Sequence, residues 1–263
     1  MCLIILAYQA IPDYPLIAAA NRDEFYSRPA RGAHFWPNNP NGKQILAGQD
    51  LLAGGTWLGI NREGRFAAVT NWRDPSRSEH KPYSRGELPV RFLQSSLTAL
   101  DYAESLKDSF DNYAGFNLLV GDHNNMVYIN NVNCQLQQLN PGIYGLSNGM
   151  LDSHWPKVQR GRQRMQTLLD QPDQLSTEAL INLMGDRQQA DDSALPDTGI
   201  SIEKERELSP LFIHSRGRNY GTRNSTAVII QSSGVVRFFE QNFDSSGNPG
   251  STCSHNFSHV SDT

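Results

Sequence analysis

The sequence predicts an α+β fold with layered sheets, and three observations predict it. Apolar runs of strand length, bounded by turn residues, gather in separate groups along the chain. Helical spacing is confined to stretches between those groups and does not alternate one to one with the strands. The 263 residues suffice for one large domain or two small ones, and they contain no internal repeat.

The elements follow in order. Residues 3–8 are apolar, Ile11-Pro12-Asp13-Tyr14-Pro15 is turn-rich, and residues 16–20 are apolar again, which reads as strand, turn, strand. The second strand runs back beside the first and delivers Asn21, Arg22 and Asp23 towards Cys2. A polar loop is expected after Arg28-Pro29, with residues 37–42 as its strongest turn cluster. Strands are expected at 45–47 and 57–60. Between them, Gly54-Gly55 before Thr56-Trp57 marks either a close backbone approach or a plain tight turn. Asn61-Arg62-Glu63-Gly64 is a hairpin turn, and 65–71 returns as a strand ending on Asn71. Leu88, Phe92, Leu93, Leu97, Leu100, Leu106 and Phe110 recur near helical spacing, so one or two helices lie in 86–110. Strands follow at 116–120, 126–129, 134–139 and 143–146. Pro156 opens a helix to Leu169, and Ser176 caps another to Met184. Residues 186–210 read as a charged surface excursion, and strands at 211–214, 225–231 and 235–240 complete the set. The domain is expected to span 1–244. Residues 245–263, rich in Ser, Gly, Asn and His, are expected to be a disordered tail.

Composition narrows the function classes. The net charge is −4, so no basic excess suggests a nucleic-acid surface. No apolar run is long enough to span a bilayer. The N-terminal stretch lacks a basic n-region, and Gln9, Pro12, Asp13 and Pro15 interrupt it, so no signal peptide is expected and the location is read as cytoplasmic. Three scattered cysteines, Cys2, Cys134 and Cys253, fit a reducing compartment. No metal site is expected. Cys253, His255 and His259 have a ligand-like spacing but fall in the expected tail, and His34, His123, His154 and His214 read as surface or core histidines.

The chemistry concentrates at Cys2. Removal of Met1 would leave a thiol and a free α-amine on one residue. An amine of pKa about 7.7–8.0 beside a thiol of about 8.5 permits proton exchange near neutrality. The thiolate is the reactive form, and a terminal amine serves as base for such a nucleophile. The alternative is a small buried side chain without a chemical role. For Asn21-Arg22-Asp23-Glu24 the alternative is a solvated strand end with an ion pair.

Met1-Cys2 followed by Asn21-Arg22-Asp23-Glu24 resembles the NRDE-motif family, the transport and Golgi organisation proteins. The resemblance continues in residues 54–59 (Gly-Gly-Thr-Trp-Leu-Gly), 69–73 (Val-Thr-Asn-Trp-Arg), 145–148 (Gly-Leu-Ser-Asn) and 220–223 (Tyr-Gly-Thr-Arg). This family in turn looks like the N-terminal nucleophile (Ntn) hydrolases, closest to the bile-salt hydrolase and penicillin V acylase branch. That implies a four-layer α-β-β-α sandwich. It also implies roles: Cys2 as nucleophile, Asp23 fixing its amine, Asn71 and Asn148 as oxyanion donors, and Arg223 as a late arginine. The branch's arginine beside the thiol is replaced by Ala20, and Arg22, on the same strand face, is the candidate to compensate. The implied activity is hydrolysis of a non-peptide amide, an N-acyl compound, with no cofactor. The family's association with haem and lipid handling implies a second reading, in which an apolar cleft binds haem or another hydrophobic ligand without turnover. No Cys-x-x-Cys-His haem motif is present.

Overall fold

A computed structural model describes residues 2–37, 43–77, 80–215 and 217–259. The strands are β1 (Cys2–Ile11), β2 (Tyr14–Phe25), β3 (Ala30–Phe35), β4 (Ile45–Asp50), β5 (Leu58–Asn61) and β6 (Phe66–Asn71), then, after two helices, β7 (Phe116–Gly121), β8 (Met126–Asn130), β9 (Gln135–Gln138) and β10 (Gly142–Leu146). The helices are α1 (Glu87–Gln94), α2 (Ala99–Leu106), α3 (Pro156–Leu169), α4 (Thr177–Met184) and α5 (Ile202–Glu207). Strands β11 (His214–Ser215), β12 (Tyr220–Ile230), β13 (Val235–Phe243) and β14 (Pro249–Ser258) close the chain. One antiparallel sheet runs β10-β1-β2-β12-β13-β14, with β11 on β12; the other runs β3 to β9 in sequence order.

Strand β1 shows why the apolar runs are nearly continuous. Ile4, Leu6 and Tyr8 face the second sheet, while Leu3, Ile5 and Ala7 face α3 and α4. Both faces are covered, so alternation between polar and apolar is lost. Leu46, Leu58, Ile60, Phe66 and Leu119 complete the layer between the sheets. On the far side, Leu88, Phe92, Tyr102 and Leu106 of α1 and α2 pack on Ala67, Val69 and Leu118. The result is the four-layer α-β-β-α sandwich. Gly161 seats α3 on the sheet: a Cβ there would lie 2.5 Å from Ile5 Cδ1.

Several expectations are corrected. Strand β2 continues through Asn21, Arg22 and Asp23 to Phe25, because Asn21 and Arg22 pair on both edges, with β1 and with β12, and residues 23–25 pair with β12. The loop after Pro29 contains β3, held by its register with β4; the turn cluster at 38–42 lies outside the described residues. The helical stretch breaks before Thr98, whose side chain caps α2, and leaves Leu97 and Leu100 exposed. Of 211–214, only His214 is in a strand. The tail expected from residue 245 is a strand over Pro249–Ser258, paired along β13. Its composition is poor in apolar residues, but ladder pairing is made by the backbone. The turn suits it: Asp244 Oδ1 accepts from the N–H groups of Ser246 and Asn248, and Gly247 has a φ of 73°. Residues 260–263 lie outside the described residues.

Candidate active site

Antiparallel pairing sets Cys2 opposite Arg22 and Leu3 opposite Asn21. Side chains alternate across a strand. Cys2 and Arg22 therefore join the inter-sheet face of Ile4 and Ala20, whereas Asn21 and Asp23 turn to the helix side. A cleft of about 130 Å³ opens at these strand ends, lined by Cys2, Arg22, Asp23, Asp50, Trp57, Asn71 and the turn at 84–86. The two glycines before Trp57 shape its wall. A Cβ on Gly55 would lie 2.3 Å from the Gly86 carbonyl carbon, and Thr56 N–H donates to Gly86 O at 2.9 Å. The close approach is thus to another backbone segment.

Arg22 is 4% exposed. Its guanidinium stacks over Trp57 at 4.2 Å, Nη2 meets Asp50 Oδ2 at 3.3 Å, and Nη1 is buried without a hydrogen-bond partner among the described residues. Arg28 Nε meets the same Asp50 oxygen at 2.5 Å. Burial alone would raise the Asp50 carboxyl, but the Arg28 hydrogen bond, the Ala53 N–H and Arg22 outweigh it and hold it below the usual range. Cys2 is half-buried. Burial pushes its thiol up and the Asp23 carboxylate adds to that; the Arg22 charge and the Asp23 backbone N–H oppose. In a chain that retains Met1, the thiol is poorly ionised at neutral pH.

On the helix side, Asn21 is wholly committed. Its Nδ2 donates to Met184 O at 3.0 Å and Leu211 O at 2.8 Å, and its Oδ1 accepts from Ser225 Oγ at 2.5 Å. Asp23 accepts from Thr222 Oγ1 at 2.7 Å, and its carbonyl accepts from Tyr220 OH at 3.0 Å. Burial pushes the Asp23 carboxyl up, and the nearby Lys157 ammonium pulls it back.

The two asparagines expected as oxyanion donors come together but differ in what they face. Asn71 ends β6 and lines the cleft with Cys2. Asn148 is fully buried, and its Nδ2 donates to the Asn71 carbonyl at 2.9 Å. In this geometry it braces Asn71 and does not line the cleft. Ser147 works alongside: its Oγ donates to the Cys2 carbonyl at 3.1 Å, and its own carbonyl accepts from Thr70 Oγ1 at 2.5 Å.

Arg223 is not brought into the cleft. The β2–β12 register shifts between Thr222 and Asn224, so Arg223 sits at a bulge. Its Nη1 donates to Phe25 O and Arg28 O, both at 2.9 Å. The arginine ties down the loop after β2. The residues with ligand-like spacing in β14 are separately engaged: Cys253 Sγ donates to Ala33 O at 2.8 Å, His255 packs edge-on to Phe35, and His259 stacks on His123.

Sequence reasoning missed Lys157 and the Arg73–Glu205 pair. Lys157 is 2% exposed, in the first turn of α3. The signal was its spacing: 157 lies four residues before Gly161 in the buried row Gly161, Met165, Leu169. Glu205 lies in the stretch expected to be a surface excursion, yet it meets Arg73 at 2.6 Å with both side chains buried.

Two antiparallel sheets stacked between helix layers, with a cysteine heading a central strand, define the fold of the Ntn hydrolases. Solved structures agree. The chain superposes on a mutant conjugated bile acid hydrolase from Clostridium perfringens with a TM-score of 0.54 at 9% identity, covering 98% of this chain and 92% of that one. It also superposes on a Caenorhabditis elegans ortholog of N-acylethanolamine-hydrolyzing acid amidase with a TM-score of 0.51 at 9% identity, over 87% and 92%. Within that fold the chain belongs to the family described as Transport and Golgi organisation 2, whose profile matches residues 1–245. It is 34% identical over 259 residues to the Transport and Golgi organization 2 homolog of Mus musculus, covering 92% of each chain. Among the described residues, no helix is long and apolar enough to cross a membrane.

Proposed function

We propose that this chain, after loss of Met1, hydrolyses a non-peptide amide of the N-acyl type with Cys2 as nucleophile. The observation that carries this reading is the convergence of Cys2, Arg22, Asp23 and Asn71 on one cleft at the head of β1. The Cys2 thiolate attacks the carbonyl carbon and forms a C–S bond, while Asn71 donates to the oxyanion. The C–N bond then breaks, and the α-amine passes the thiol's proton to the leaving amine. Water attacks the thioester with the α-amine as base, which releases the acid and restores the thiol. No cofactor enters any step. One solved neighbour is named as a hydrolase of conjugated bile acid and the other as an acid amidase hydrolysing N-acylethanolamine, and the proposal carries the amidase's bond class to this chain.

A panel of N-acyl amides tests it. Cys2→Ala abolishes turnover and leaves the melting temperature unchanged; retained turnover in that variant overturns the proposal.

A second reading is favoured by an apolar pocket of about 300 Å³ next to the cleft, lined by Phe25, Leu208, Tyr220, Asn71 and the Glu207–Arg218 pair. There the chain would hold a hydrophobic small molecule, lipid-like or haem, without turnover and in the cytoplasm. Among the described residues that lining brings no imidazole, thiolate or thioether, and its one phenol, Tyr220, is engaged with the Asp23 carbonyl, so a haem in it would be held by packing and not by axial ligation. A saturable spectral shift on haem titration, with no turnover of the amide panel, would favour this reading.

A further inference from the structure

Lys157 Nζ is buried and has no hydrogen-bond partner among the described residues. Long cationic side chains usually carry their head group out to water. This one ends inside, 6.0 Å from the ring centroid of Trp155. Its seat is fixed because α3 packs on β1 through Gly161.

The charged and titratable groups around it come from five elements. Cys2 (β1), Asp23 (β2), Arg73 after β6 and Glu205 (α5) all act on the ammonium. Tyr220 (β12) packs on Asp23 through its hydroxyl. Arg73 and Glu205 meet at 2.6 Å and largely cancel. Lys157 and Asp23 are opposite charges that act on each other, and Cys2 is the neighbour whose ionisation matters.

We propose that Lys157 is a positioning residue for the nucleophile: its buried ammonium offsets the Asp23 carboxylate, so that this negative charge neither opposes thiolate formation at Cys2 nor holds the α-amine as an ammonium. The inference rests on the hydrolase reading of Cys2. Titration behaviour agrees with the geometry. Burial, with Arg73 adding, lowers Lys157 to about 8, so it is mostly charged at neutral pH and is lost as an ammonium just above it. The same ammonium is the largest of the influences that pull the Asp23 carboxyl back down.

The test is the pH profile of Cys2 alkylation by limiting iodoacetamide, read by peptide mass in the Met1-free protein. Exposed Cys134 serves as the internal reference. Lys157→Met is expected to move the Cys2 profile up by about one pH unit, a roughly tenfold slower reaction near neutrality. Lys157→Arg should restore most of the rate, and Cys134 should not change. A second measurement leaves Lys157 in place: carbon-13 NMR titration of labelled lysine in the unaltered chain, in Cys2→Ala and in Asp23→Asn. Coupling is reciprocal, so the Lys157 midpoint should fall in both variants. An unmoved midpoint in both overturns the proposal even if Lys157→Met does not fold. If Cys2 in the unaltered protein is no more reactive than Cys134 at any pH, the hydrolase reading itself fails. If Cys2 is activated and Lys157→Met leaves its profile unchanged, only the role of Lys157 fails.

Discussion

The two faces of β2 near its end are built on opposite principles. On the helix side, Asn21 has each of its amide groups matched to Met184, Leu211 and Ser225. On the inter-sheet side, Arg22 has one nitrogen on Asp50 and leaves Nη1 buried without a hydrogen-bond partner among the described residues. Consecutive residues of one motif thus divide into a brace and a group with capacity to spare. Buried polar atoms in folded proteins are nearly always satisfied, so a spare group such as Arg22 Nη1 marks a place where chemistry is to be sought.

The brace makes the largest stability prediction. Asn21→Ala leaves two carbonyls and a hydroxyl without partners and is expected to cost about 3 kcal/mol. The check is the urea midpoint, with the slope unchanged. A cost under about 1 kcal/mol would break the distinction between the two faces.

The inter-sheet face also holds Glu240, 1% exposed, accepting from Ala33 N–H at 2.8 Å. Burial pushes it up to about 7 from the usual 4.5 of a glutamate. Between these values the folded state binds the proton that the unfolded state has lost, so stability falls as pH rises from about 4.5 to about 7. The shift corresponds to about 3 kcal/mol. Glu240→Gln is expected to flatten melting temperature against pH across that window and to stabilise the protein above it.

Arg22 sharpens the comparison on the chemical side. Arg22→Ala removes the positive charge opposite Cys2 and is expected to slow alkylation of the Met1-free thiol about tenfold at neutral pH. An unchanged rate would show that Arg22 does not replace the arginine missing at Ala20. The smallest effect is expected from Arg223→Ala. It loses two loop carbonyl contacts that are partly open to solvent, for about 1 kcal/mol, and turnover should change less than threefold (a turnover loss of about a hundredfold would place it in the machinery after all).

Much of this was legible in the residues. The apolar runs of 3–8 and 16–20 and the turn at Pro12-Asp13 marked the central hairpin. Cys2, Asp23 and Asn71 emerged from the motifs and share the cleft. Arg223 lies outside the cleft because a one-residue bulge turns a side chain away from its regular direction, and no composition signal marks that bulge. Strand β14 was missed because ladder pairing depends on an available edge and not on apolar content.

The sequence by itself determined which segments are strands or helices over most of the chain, which family it joins, and which residue heads the central strand. These are local properties of period, turn chemistry and motif order. Only the tertiary structure decided that Asn148 braces Asn71, that Glu205 leaves the surface to meet Arg73, and that Lys157 is buried. The physical reason is that a polar side chain's role depends on which partners and how much water surround it, and both are supplied by segments distant in the chain.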